Sequence, residues 1–220
     1  MKRLFFVFVL CLSIMAANAQ VVEKTFADLK NEGNAAVNSK DFPKALELYE
    51  QALVKWGDKP LADTSLIYNM GLCAYSSKNY EKSLKYFDQS ISLNYKKVDA
   101  LLKKADTYKA MKNDAENLKT LEEALSVAPE DAKVKSKLAA YYVKAATGYY
   151  SKGSAIITKV NGDITSGKLK TTDASYIAAE QKAKDEYNKA LPLIDKALTF
   201  EPGNAKAKEL KDACELAIKG

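Results

Sequence analysis

From Phe26 onward, small and large side chains return in the same order at a nearly constant interval. The first segment carries Gly33, Ala45-Leu46, Tyr49 and Ala52; the second, from Thr64, carries Gly71, Ser83-Leu84, Phe87 and Ser90. The third, from Val98, carries Ala105, Tyr108, Leu118, Leu121, Ala124 and Pro129. Starts at 64 and 98 lie 34 residues apart, whereas the step from 26 to 64 is 38, with room for the extra residues in Trp56-Gly57-Asp58-Lys59-Pro60. Glycine and proline are scarce, at 9 and 5 in 220 residues, and apolar positions recur at three and four, so each segment is expected to be helical. A helix pair that cannot bury its apolar face alone must stack on its neighbours, and a constant period lets it do so.

A fourth unit begins on schedule at Ala132, with Leu138, Ala139 and Tyr142 in place, but its second half is displaced by 39 residues, to Ala190-Leu191, Ile194 and Ala197-Leu198. Helix-compatible sequence runs on from Ala145 to about Thr158, with Gly148 and Gly153 as weak points. Turn formers fill the stretch from Asn161-Gly162-Asp163 to Thr172, and Thr172 or Asp173 can cap a returning helix. Two arms of similar length predict an antiparallel helical hairpin projecting roughly 20 Å, at ~1.5 Å per residue. The alternative is a β-hairpin over residues 156–165, because Asn161-Gly162 stands between β-branched residues. Pro192 should kink the returning helix unless its missing N–H costs nothing there. Residues 204–219 supply a terminal cap helix.

The spacing and the small-large pattern resemble the tetratricopeptide-repeat family over nearly all of residues 20–220. That resemblance implies an all-α, right-handed superhelix of antiparallel helix pairs. The repeats would be about 26–59, 64–97 and 98–131, with a split fourth repeat, 132–146 plus 185–203, extended by a helical-hairpin insertion at 147–184. It also implies a concave groove lined by the first helix of each repeat. Lys30, Asn31 and Asn34, then Tyr68, Asn69 and Leu72, then Asp99, Leu102, Lys103 and Asp106 fall at those places. The segment Leu29-Lys30-Asn31-Glu32-Gly33-Asn34 is similar to the carboxylate clamp of co-chaperones that grip heat-shock-protein tails. Tyr68-Asn69 and Lys103 match its later segments, but Asp99 stands where that subtype has a lysine. Lys30, Asn34, Tyr68, Asn69, Leu72, Lys103 and Asp106 are therefore the candidate peptide-binding residues.

The first nineteen residues follow other rules. Lys2 and Arg3 precede an apolar run from Leu4 to Met15, and Ala17-Asn18-Ala19 offers small residues to a signal peptidase. A signal peptide cleaved after Ala19 is expected, and with it a periplasmic or secreted location. No later stretch has the length and apolarity of a membrane span. Two of the 34 Lys and Arg residues lie in the signal, leaving 32 against 28 Asp and Glu, a mild +4 without basic blocks, so nucleic acid is not an expected partner. With no histidine in the chain, Ser-His-Asp and Cys-His catalysis and the commonest zinc ligand are absent. No phosphate-binding glycine loop occurs, and Cys73 and Cys214 alone cannot hold a metal. No catalytic, metal or cofactor residues are expected. The expected function is a scaffold for a protein or peptide partner, and the alternative is a glycan- or small-ligand-binding protein. Tyr142, Tyr149 and Tyr187 are spaced to pack the hairpin arms, while Tyr150 and Tyr176, if exposed, would offer a surface for a partner or a sugar.

Overall fold

The computed structural model of the protein describes residues 23–57 and 63–219. The expected signal segment lies outside them, as do residues 58–60 of the stretch expected to absorb the longer first step. Among the described residues there are nine helices and no strand: α1 Phe26–Asn38, α2 Phe42–Trp56, α3 Thr64–Ser76, α4 Tyr80–Ser92, α5 Lys97–Ala110, α6 Asp114–Val127, α7 Ala132–Thr165, α8 Ala174–Phe200 and α9 Ala205–Lys219.

One turn joins the helices of each of the first three pairs. Lys40, Lys78 and Lys112 adopt left-handed backbone, with φ of 62°, 60° and 59°. The next residue's N–H then reaches back across the helix end: Asp41 to the Ala36 carbonyl, Asn79 to that of Ala74 and Asn113 to that of Tyr108, at 2.8, 2.9 and 2.9 Å. Those same residues start the following helix, since the Asp41, Asn79 and Asn113 side chains accept from the N–H groups of Lys44, Lys82 and Glu116. A single Lys-Asx pair thus ends one helix and caps the next.

Packing follows the alternation of small and large. A Cβ placed on Gly33 would sit 2.4 Å from the Tyr49 ring, and one on Gly71 would sit 2.7 Å from the Phe87 ring. The absent side chain is what lets the paired helices close on each other. The interior forms two blocks, one across α1–α4 around Tyr49 and Met70, the other across α5–α9 around Leu101, Leu138 and Ile194. Between them lies a seam of Tyr68, Phe87 and Ala100.

Beyond the third pair the helices lengthen. α7 continues through Asn161-Gly162-Asp163, which were expected in a loop, and ends at Thr165. The β-hairpin alternative is thereby excluded for residues 156–165. Val160 is buried and Ile156 and Ile157 pack on the core, so tertiary burial holds the β-branched residues helical. Gly153 is a contact point rather than a weak one, because an added Cβ would lie 2.5 Å from the Tyr187 ring of α8. α8 starts after Asp173 and runs unbroken past Pro192, whose ring lies on the exposed face. Tyr142 and Tyr187 are buried in the core, and Tyr149 packs against it.

Candidate functional site

The seven residues expected in the groove sit on α1, α3 and α5, and the structure divides them. Asn34, Asn69 and Leu72 line one open cleft of about 410 Å³ between the first two helix pairs, together with Val37, Asn38, Phe42, Tyr49, Cys73 and Ser76. No charged side chain lines it. Tyr49 anchors it from below, donating its hydroxyl to Asn34 Oδ1 at 2.7 Å, which leaves the Asn34 amide hydrogens as donors to a ligand. Burial, and secondarily Cys73, pushes the Tyr49 phenol up to about 12. Burial likewise raises the Cys73 thiol to about 11, so the cleft holds a neutral thiol rather than a nucleophilic thiolate.

The other four are placed differently. The Lys30 ammonium bonds to the Asp63 carboxylate at the start of α3, and that bond, followed by the Ser65 hydroxyl, holds Asp63 below the ordinary carboxylate range. Tyr68 belongs to the seam rather than to an open wall. It is 8% exposed, packs edge-on against Phe87 and Tyr95, and carries the Lys96 ammonium 5.1 Å from its ring centre. Lys103 is half-buried and has no ion-pair partner among the described residues. Asp106 faces Lys137 at 2.5 Å in another, smaller cleft of about 70 Å³ between α5, α6 and α7.

That second cleft was not singled out from the sequence, although Lys137, Tyr141 and Lys144 recur at helical spacing on one face of α7. Lys144 pairs with Asp114 at 2.8 Å, and Lys109, Asn117 and Tyr141 complete the walls. Among the described residues no cluster of His, Cys, Asp and Glu can hold a metal, and no helix is long and apolar enough to cross a membrane. The arrangement offers amide donors, hydroxyls, apolar floor and paired charges, all suited to non-covalent contact.

Comparison with known proteins agrees with this geometry. The family pattern described as "Tetratricopeptide repeat" matches residues 64–97 and 98–131, the same two units delimited above. Human sperm-associated antigen 1 is 32% identical over 116 residues, which is 53% of this chain and 12% of that protein. The photosystem I assembly protein Ycf3 of Acaryochloris marina is 39% identical over 69 residues, 31% of this chain and 41% of that protein. The chain therefore spans less than half the length of either relative. Among solved structures, a TPR repeats protein from Bacteroides fragilis superposes with a TM-score of 0.52 at 25% identity, covering 88% of this chain and 99% of that one. A tetratricopeptide repeat protein from Parabacteroides merdae gives a TM-score of 0.51 at 16% identity, covering 88% and 73%. Period, helix pairing and these likenesses converge: this chain carries tetratricopeptide repeats, set in an all-helical superhelical array.

Proposed function

We propose that this protein is an exported adaptor that holds an extended segment of a protein partner in the groove formed by α1, α3, α5 and α7. One observation carries the reading: Asn34, Asn69 and Leu72 line a single open and uncharged cleft. Carboxamides both donate and accept, so they can match the N–H and C=O groups of a peptide main chain without a charged partner, while Leu72 and Val37 offer apolar contact to its side chains. A terminal-carboxylate grip at Lys30 is disfavoured, because that ammonium already bonds to Asp63. The signal-like first nineteen residues support export, and the stretch 147–184 is read as an insertion that opens the fourth repeat. A glycan site would need an exposed run of aromatic rings. Tyr150 instead lies against Tyr187, with ring centres 5.5 Å apart.

The test is selection of a random peptide library on the purified protein, followed by binding of the selected peptides to Asn69→Ala and Leu72→Ala variants. Each substitution should weaken binding roughly tenfold, the worth of one or two lost contacts. Unchanged binding to both variants would place the peptide elsewhere. Mass spectrometry of the protein recovered from its native fraction reports separately on cleavage after Ala19.

A further inference from the structure

The two clefts are the same place in the repeat, built twice with opposite chemistry. Counted from the unit starts at 26 and 98, Asn34 corresponds to Asp106, Val37 to Lys109 and Phe42 to Asp114. On the facing helix, counted from 64 and 132, Asn69 corresponds to Lys137, Cys73 to Tyr141 and Ser76 to Lys144. In the intervening unit the equivalents of Val37 and Phe42 are Tyr75 and Tyr80, whose rings lie against each other with centres 6.2 Å apart. An uncharged cleft and a charged one thus flank an aromatic step along one groove.

The charged cleft has an excess of cations. Three lysines face two aspartates, Asp106 and Asp114 are already bonded to Lys137 and Lys144, and Lys109 is exposed with no ion-pair partner among the described residues. The two ion pairs cancel, so the net charge of the lining is one positive, carried by Lys109, and it attracts an incoming carboxylate and repels an incoming cation. A volume of about 70 Å³ suits the tip of a side chain, not a large ring. Its α7 wall is shared with a further cleft, where Ala140 and Lys144 meet Val143, Thr147, Asn204 and Lys206, so an occupant need not end there.

We infer that the cleft between α5, α6 and α7 takes an aspartate or glutamate side chain from within the same segment whose uncharged part lies in the Asn34–Asn69 cleft. This rests on the groove reading above. Adjacent units advance by about one helix diameter, ~10 Å, so the clefts are roughly 20 Å apart, or about six residues of extended chain.

The experiment uses degenerate peptide pools with acetylated and amidated ends, carrying Leu and Glu six positions apart in either order, against pools with Gln in place of Glu. On the wild-type protein the Glu pools should be retained roughly tenfold better, with the preference fading between about 0.1 and 0.5 M salt. Lys109→Gln, at a side chain that pairs with nothing, should remove most of the preference and leave Gln-pool binding unchanged. Equal retention of Glu and Gln pools, with both weakened by Asn69→Ala, overturns the acidic-residue inference and leaves the groove reading standing. Better retention of a free-acid version of the Gln pools than of the amidated one, irrespective of internal Glu, also overturns it, in favour of a terminal grip. Retention of no pool removes both readings.

Discussion

A glycine in this array is either a contact surface or an unneeded freedom, and its neighbours decide which. Gly71 faces the Phe87 ring, so Gly71→Ala forces a Cβ to within 2.7 Å of a ring that is 0% exposed and cannot swing aside. We expect a loss of roughly 1–3 kcal/mol from overpacking. At Gly148, also helical, an added Cβ meets nothing within 4 Å. Gly148→Ala should instead stabilise by about 0.5–1 kcal/mol, through the smaller entropy loss of alanine. Urea denaturation of the two variants checks this pair, and equal signs would show that the ring contact is not what selects glycine. The Gly-large pattern at 33/49 and 71/87 was legible because both partners lie a constant 16 residues apart in sequence. Gly153 with Tyr187 is the same device across 34 residues, a separation no local pattern reports.

At the scale of elements, the Lys-Asx turns and the asparagine and aspartate caps are short-range chemistry and can be read directly. The end of α7 could not be read in that way. Asn161-Gly162-Asp163 has the composition of a turn, yet it continues the helix for seven residues past the expected Thr158. Local propensity differs by less than about 1 kcal/mol per residue, which burial of Val160 and the packing of Ile156 and Ile157 on the core outweigh. Pro192 makes the reverse point. It lacks the N–H that would bond to the Asn188 carbonyl, and α8 persists because Ala190, Ile194 and Ala197 on the other face are buried. Pro192→Ala should therefore raise stability by roughly 1–3 kcal/mol, read as a shift of the denaturant midpoint at constant slope. No shift would mean that a local bend relied on by the packing had offset the restored bond.

For the molecule as a whole, charged pairs tie successive units together at separations near the repeat length: Lys30 with Asp63, Lys82 with Glu50, Lys137 with Asp106 and Lys144 with Asp114. Burial alone would lift the Glu50 carboxyl, but hydrogen bonds from Lys82 at 2.8 Å and Tyr86 at 2.6 Å outweigh it and hold Glu50 below its ordinary 4.5. Asp63 is held below its ordinary 3.8 by Lys30. A lowered carboxyl contributes stability above its unfolded value that is lost as pH falls through the folded one, so the array should weaken below about pH 4. The Cys73 thiol shifts the other way, from 9.0 to about 11, and its contribution is present below 9 and lost as pH rises through that interval. Denaturation midpoints should thus be flat between about pH 5 and 8 and fall on either side. Cys73→Ala should flatten the alkaline limb whatever it does at neutral pH, and an unchanged limb would exclude this thiol as its source.

Periodicity alone determined the helix pairs, their turns and the stacking, because small and large residues at a constant interval leave an unstacked pair with an exposed apolar face. The resemblance to tetratricopeptide repeats put Asn34, Asn69 and Leu72 among the expected groove residues, and in the structure these three line one cleft. Tertiary packing alone decided which groove side chains remain available. Lys30, Tyr68 and Asp106 stand at groove positions in sequence, but Asp63 and Lys137 take up the first and the last across the junction with the next unit, and Phe87 covers Tyr68 from the second helix of its own unit. The physical reason is distance in sequence: a helix signals its own face every three or four residues, whereas the partner that neutralises or covers a side chain arrives from 19 to 33 residues away, by helix pairing and stacking.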